Sequence, residues 1–226
     1  MKEFFKSTWH IARKDLAIEW KTKDVTYSTA LFATLVVVMA SLSFYLTPSL
    51  ARQIAPGVLW IAITFGGLLA VGRGWARERD GDALRALLLS PAPRSAIYFG
   101  KLLSNLAFLL IVEVIITPMV ALFFHIDLWA VLGPLSLILV LGTLGFVAAA
   151  TLFGAMTVRT GARDLALSVV VFPLITPALL ASVVATKQLF GGADLDDTMV
   201  WLRILLAFDV FFIVAGTALF EPLMSD

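Results

Sequence analysis

The stretch LWAVLGPLSLILVLGTLGFVAAATLFGAMTV, residues 128–158, contains no charged side chain, and it decides the fold. An α-helix needs about 20 apolar residues to cross the roughly 30 Å hydrocarbon core of a bilayer. Uncharged runs of comparable length occupy residues 25–51, 53–72 and 165–186. These runs predict an all-α polytopic membrane protein.

The same hydrophobicity pattern predicts how many spans there are and how they are oriented. Residues 25–226 form a transmembrane domain in this interpretation, and residues 1–24 precede it. Fourteen of the 17 Lys and Arg residues fall on one side of the predicted spans. Cytoplasmic loops carry an excess of Lys and Arg, so we expect both termini in the cytoplasm. The six predicted spans are residues 26–47, 54–73, 98–124, 129–157, 165–186 and 199–220.

The composition argues against several classes of protein. Only 15% of the residues are charged, against about 25% in soluble domains. The absence of Cys excludes disulfides, thiolate nucleophiles and Cys-ligated iron–sulfur clusters. The two histidines, His10 and His125, do not have the spacing of a zinc protease. We expect no catalytic residue, no metal site and no nucleic-acid partner.

The N-terminal segment shows the periodicity of an amphipathic helix. Phe5, Trp9, Ala12, Leu16 and Trp20 recur at spacings of three or four residues, and Lys and Arg fill much of the remaining surface. This pattern is typical of a helix that lies in the membrane interface, against the lipid bilayer. It predicts either a simple anchor for the first span or a helix that also braces the cytoplasmic loops.

The segment ERDGDALRALLLSPAP, residues 78–93, interrupts the apolar chain with charges and prolines. Asp82 can cap a short helix over residues 83–89, and the prolines end that helix. We expect its leucines to dock on a cytoplasmic partner, inside a polar rim that includes Glu78, Asp80 and Arg85. The alternative is that the leucines lie on the bilayer interface.

Residues 78–101, ERDGDALRALLLSPAPRSAIYFGK, resemble the loop of the haem exporter protein B (CcmB) family, in which a D-G-x-L turn precedes a Leu run ending in S-P-x-P. Residues 50–70 resemble that family's entry into its second span. Residues 141–180 resemble its fourth and fifth spans, and residues 201–226 resemble the C-terminus of one branch of it. The resemblance implies the permease subunit of an ABC transporter, with the ABC-2 or type V exporter architecture, that acts in haem export for cytochrome c maturation.

The resemblance also implies partners and a location. These are a cytoplasmic ABC ATPase, a second copy of the chain, a haem-handling membrane protein and a haem chaperone, in the bacterial cytoplasmic (inner) membrane. ATP would act through the ATPase, because this chain lacks the G-x-x-x-x-G-K-[ST] phosphate loop. Haem is the implied substrate, with no cofactor held directly. The alternatives are a generic ABC-2 exporter permease for polysaccharide, lipid or drug, a membrane scaffold and an intramembrane hydrolase.

The loop at residues 76–94 would then be the coupling element that contacts the ATPase, with a smaller contact after the fourth span. The residues that the resemblance assigns to ATPase coupling are Glu78, Asp80, Gly81, Asp82, Leu84, Arg85, Leu87, Leu88, Pro91, Arg159, Arg163 and Asp164.

Two carboxylic acids lie within predicted spans, Glu113 in the third and Asp209 in the sixth. An ionised carboxylate at that depth costs about 2.5–3.5 kcal/mol, so each should face protein or water. They could line a pathway, or simply be neutral or hydrogen-bonded to a neighbouring helix.

The far side of the predicted membrane offers few candidate residues. His125 and Trp129 lie close together in sequence there and could contact haem, although a single histidine in a short loop is also typical of an ordinary solvated residue. Pro173 and Pro177 predict a break in the fifth span. Residues 173–198 could then hold one or two short re-entrant helices.

Overall fold

A computed structural model describes residues 2–43, 47–80, 89, 92–160 and 164–224. This part of the chain is helical throughout its elements and contains no strand. Six of the helices in this part of the chain are long and apolar enough to cross a membrane. The all-α fold with six membrane-spanning helices is therefore confirmed. The helices are α1 (Lys2–Thr22), α2 (Asp24–Ser43), α3 (Pro48–Asp80), α4 (Arg94–Phe124), α5 (Leu128–Thr160), α6 (Asp164–Phe190) and α7 (Leu195–Met224).

Helix α5 lies at the centre of the bundle and packs against α3, α4, α6 and α7. Its glycines allow this close packing. A Cβ atom added to Gly142 would collide with the Trp60 ring of α3, and one added to Gly145 would collide with Asp209 and Phe208 of α7. Small residues let membrane helices approach closely, and van der Waals contact then stabilises the bundle.

Helix α3 is longer than the sequence predicted. Our interpretation ended the second span near residues 72–74, but the helix continues without interruption to Asp80. Trp75 explains the extension, because its side chain is buried and lies against Gly154 of α5. Tertiary packing of the last turns outweighs the low helix propensity of the nearby glycines.

The predicted break in the fifth span is wrong. Helix α6 runs as one helix through Pro173 and Pro177 and ends at Phe190, so residues 173–190 form no re-entrant element. Neighbouring helices and Thr hydroxyls can compensate for the amide that each proline lacks. Here α6 packs against α3, α5 and α7, which enclose it on several sides.

Helix α1 packs along α4 and also touches α2. Phe5, Trp9 and Trp20 are exposed, as expected for a helix whose apolar stripe faces lipid. Ala12 was assigned to the same stripe, and this assignment is wrong, because Ala12 is buried beside Ile11 on the face that contacts the protein. The position of α1 at a bilayer interface remains a prediction.

We predict that Gly142→Ala lowers the unfolding temperature of the detergent-solubilised protein by several degrees. The new methyl group would meet the Trp60 ring, which is buried and donates a 3.0 Å hydrogen bond to Thr186. Overpacking of this kind costs about 1–3 kcal/mol. Gly133→Ala is the matched control, since a Cβ atom there has nothing within 4 Å. Equal unfolding temperatures for the two variants would contradict this account of α5.

Candidate functional site

The structure covers the predicted coupling region only in part. Helix α3 ends at Asp80 and α4 begins at Arg94. We call this end of the bundle the loop end. Arg159 belongs to the last turn of α5, and Asp164 is the first residue of α6. The predicted helix over residues 83–89 is not tested, because most of it lies outside the described residues. The coupling residues outside the described part are Gly81, Asp82, Leu84, Arg85, Leu87, Leu88, Pro91 and Arg163.

Four charged residues from three helices meet at the loop end. We call Lys14 and Asp15 of α1, Glu78 of α3 and Lys101 of α4 the charge cluster. The Lys101 Nζ atom lies 2.5 Å from Glu78 Oε1 and 2.8 Å from Asp15 Oδ2. The Lys14 Nζ atom lies 3.0 Å from the same Glu78 oxygen. Two positive and two negative charges therefore balance at this point.

The centre of the charge cluster is shielded from its surroundings. The side chains of Glu78 and Lys101 are each 6% exposed, whereas that of Lys14 is 41% exposed. The Lys101 ammonium also lies 5.6 Å from the centre of the Trp75 ring, within the range of a cation–π contact. Removal of one partner from a buried ion pair costs about 3–5 kcal/mol, because the remaining charge loses its compensation.

Lys14 is held in its charged form by the carboxylates around it. Partial burial lowers the pKa of Lys14, but Asp15 and Glu78 together raise it by more, so it lies above the ordinary value of 10.5. A raised lysine pKa means that its favourable contribution to folding is present below pH 10.5 and is lost as the pH rises through the raised value. Lys14 therefore carries its charge at neutral pH.

A close helix contact brings α1 into reach of the charge cluster. A Cβ atom added to Gly100 of α4 would lie 2.7 Å from Ile11 and 3.1 Å from the backbone oxygen of Thr8. Only a glycine allows α1 to lie this close to α4. Asp15 follows Ile11 by one helical turn, and that spacing places its carboxylate beside Lys101.

A second set of polar contacts continues from α1 to α2. The two terminal nitrogens of Arg77 each donate to Glu19 Oε2 at 3.2 Å. The other oxygen of Glu19 accepts from the backbone amide of Thr26 at 2.7 Å and from its hydroxyl at 2.9 Å. Glu19 thus joins the ends of α1 and α3 to the first turn of α2, next to Lys23, whose φ of 53° marks the junction.

A cavity of about 80 Å³ lies beside the charge cluster, between α1, α3 and α4. Its wall includes Asp15, Trp75 and Glu78. Within the described residues, Glu78 Oε2 and Trp75 Nε1 have no hydrogen-bond partner. The cavity is large enough to hold water, which could satisfy these buried atoms.

The position predicted for Glu78 is wrong. The sequence placed it on an exposed polar rim around the docking leucines, but the side chain is buried between α1, α3 and α4. The reason is the continuation of α3 to Asp80, which directs Glu78 towards Lys101 and Lys14. Whether Glu78 contributes to ATPase coupling is not tested by its position.

The sequence interpretation missed Lys14, Asp15 and Lys101 as members of a site. One signal was available: Ile11 and Asp15 recur at helical spacing on the face of α1 opposite Trp9. Lys101 also stands out because it lies two turns into an otherwise apolar span. The partner of each charge depends on how the helices pack, and spacing along the chain does not contain that information.

The two intramembrane carboxylic acids flank the centre of α5. Glu113 is buried and accepts a hydrogen bond from the Thr143 hydroxyl. Asp209 is also buried, against Gly145 and beside Phe208. Both face protein, as predicted, and they approach α5 from α4 and α7.

His125 and Trp129 lie at the opposite end of the bundle from the charge cluster. His125 has a left-handed backbone, with φ 55°, and ends α4 through a backbone hydrogen bond to Ala121. Trp129 lies in the first turn of α5 and is 86% exposed. The described residues contain no group of three or more His, Cys, Asp or Glu that could hold a metal ion. A haem contact at His125 remains a prediction.

Comparison with known proteins identifies similar chains. The sequence model of the CcmB protein family matches residues 6–221. The heme exporter protein B of Escherichia coli strain K12 is 29% identical over 97 residues, which are 43% of this chain and 44% of that protein. The heme exporter protein B of Bradyrhizobium diazoefficiens strain USDA 110 is 24% identical over 184 residues, 80% of this chain and 82% of that protein. The protein of the same name from Pseudomonas aeruginosa strain PAO1 is 24% identical over 176 residues, 78% of each chain.

We predict that Lys101→Met lowers the thermal stability of the detergent-solubilised protein far more than Lys6→Met does. The first change leaves Glu78 and Asp15 without their shared buried cation, at a cost of about 3–5 kcal/mol. Lys6 lies on the exposed side of α1 and serves as the matched control. Similar unfolding temperatures for the two variants would show that the charge cluster does not stabilise the fold.

Proposed function

The chain belongs to the CcmB protein family, and we propose that it is the permease subunit of an ABC transporter that acts in haem export for cytochrome c maturation. The observation that carries this proposal is the family match over residues 6–221, nearly the whole chain. The names of the similar proteins, heme exporter protein B, support haem as the cargo of the complex. The six apolar helices supply the membrane domain that a permease needs.

A separate ATPase subunit would supply the energy. The sequence has no G-x-x-x-x-G-K-[ST] phosphate loop, and Gly100–Lys101 lacks the preceding glycine of that motif. The contacts of Lys101 support the same interpretation, since its ammonium group is already engaged by Glu78 and Asp15. This chain would therefore contribute the membrane path and the surface on which the ATPase acts.

The ATPase would contact the loop end. Residues 76–94 form the main contact in this proposal, and the connection between α5 and α6, which includes Arg159, Arg163 and Asp164, forms a smaller one. Support comes from the alternation of the helices, which returns both connections to the same end of the bundle. Fourteen of the 17 Lys and Arg residues belong to this side, which favours a cytoplasmic location with both termini inside.

The assembly would include a second copy of this chain, together with a haem-handling membrane protein and a haem chaperone, in the bacterial inner membrane. Two copies would bring together twelve spans, the number expected of an exporter of this architecture from the family resemblance. Haem would be the substrate of the assembly, either by passing through it or by release of a haem-loaded chaperone on the far side.

We predict that deletion of the gene in its native host abolishes covalently bound haem in membrane and exported fractions. The measurement is a haem stain of denatured proteins, with b-type haem proteins followed by their absorbance as the control. A permease for haem delivery predicts loss of every c-type cytochrome with b-type proteins intact. Unchanged c-type haem, in a host without a second copy of the gene, would contradict the haem function.

We predict that Leu84→Asp combined with Leu87→Asp prevents copurification of the ATPase, because charges on an apolar contact surface must be desolvated without compensation. The measurement is the amount of ATPase retained on an affinity-tagged permease. Arg52→Gln is the control, since Arg52 is exposed at the other end of the bundle. Full retention of the ATPase by the double variant would place the contact elsewhere.

A further inference from the structure

The charge cluster connects the two helices that flank residues 81–93. Glu78 lies two residues before the end of α3, and Lys101 lies in the second turn of α4. Their 2.5 Å contact joins the end of α3 directly to the start of α4. The relative position of these two helix ends is therefore fixed by a buried ion pair as well as by the connecting chain.

Helix α1 supplies an opposite charge to each member of this pair. Asp15 Oδ2 lies 2.8 Å from the Lys101 ammonium, and the Lys14 ammonium lies 3.0 Å from Glu78 Oε1. Movement of α3 relative to α4 must therefore either break one of these contacts or displace α1. The four charges behave as one unit because each cation contacts both carboxylates.

The contacts around the charge cluster extend the connection in both directions along α1. Towards its N-terminus, Ile11 lies against Gly100 without space for a further carbon atom. Towards its C-terminus, Glu19 accepts two hydrogen bonds from Arg77 and two from Thr26. A continuous set of contacts thus runs from α4 and α3 through α1 to the first turn of α2.

We propose that α1 transmits movement of the loop end to the rest of the bundle, and that Asp15 and Lys101 are the positioning residues for this step. The inference rests on the proposed function, in which an ATPase acts on residues 76–94. Displacement of the α3 and α4 ends by the ATPase would move α1 with them through Asp15 and Lys14. Helix α1 would then be a working part of the transporter, in addition to the anchoring role that its sequence predicts.

The first test compares Asp15→Asn with Asp15→Glu in the complete complex. The Asn variant removes the charge that links α1 to Lys101 and leaves the pair between Glu78 and Lys101 in place. The Glu variant keeps the charge, and the cavity beside Asp15 leaves room for the longer side chain. Lys6→Met, on the exposed side of α1, is the control.

The readouts of this test are ATPase copurification, ATP hydrolysis by the complex, and covalent c-type haem in the host. We expect the ratio of covalent c-type haem to ATP hydrolysis to fall at least tenfold in Asp15→Asn. In Asp15→Glu this ratio should recover to at least half of its original value. A residue that only stabilises the fold would reduce the amount of complex and leave this ratio unchanged. An unchanged ratio in Asp15→Asn would overturn the proposal.

The second test follows α1 directly and does not depend on the cargo. The chain contains no Cys, so Ile11→Cys with Gly100→Cys introduces a single pair. A Cβ atom at position 100 lies 2.7 Å from the Ile11 Cβ, and disulfides form at Cβ separations of about 3.5–4.5 Å after a small shift. The measurement is the yield of oxidative cross-linking in membranes that contain the complex, without nucleotide and after trapping with ATP and vanadate.

When Asp15 is present, we expect a high cross-linking yield both without nucleotide and after trapping, because α1 moves together with α4. With Asp15→Asn, the yield should fall at least threefold in the trapped state. A yield that falls on trapping while Asp15 is present would show that α1 does not follow α4, and the proposal would be wrong. Normal c-type haem in the gene deletion would instead contradict the haem function, and the cross-linking yields would still show whether α1 moves with α4.

Discussion

Close contact between helices at α5 is the constraint on which the rest of the structure depends. A bilayer provides little hydrophobic drive for helices to associate, so their packing must supply the stabilisation. Gly142 and Gly145 remove the side chains that would hold α3 and α7 apart from α5. Trp60 and Phe208 fill the resulting space, and α4 and α6 complete the ring around the central helix.

The same packing determines where polar groups can lie within the membrane. The hydrocarbon core offers no water, so a polar group there is stabilised by a partner inside the protein. Trp60 donates to Thr186 at 3.0 Å, and the Tyr98 hydroxyl lies 3.2 Å from the carbonyl of Ala148 in α5 and equally far from that of Phe212 in α7. These hydrogen bonds join different helices, and they form only when the helices have the observed neighbours.

The sequence predicted the parts of the fold that depend on local composition. Long runs with few or no charges identify the six spans, because burial of a charge in lipid is costly wherever it occurs along the chain. The sequence did not predict the length of α3, the continuity of α6 or the burial of Glu78. Each of these depends on a neighbour that is distant in sequence: Trp75 meets Gly154, α6 is enclosed by three helices, and Glu78 meets Lys101. The coupling residues between 81 and 88 stay predictions.

The charge cluster is unusual because it lies at the end of an otherwise apolar bundle, where water or lipid headgroups could have solvated its members singly. Burial of an ion pair gives little net stability compared with apolar side chains of the same size, so stability alone is a weak reason for such a site. An ion pair instead favours the one arrangement of helices that brings its partners into contact. Here the ion pairs join α1, α3 and α4. They fix the relative positions of the three helices at the point where the proposed ATPase would act.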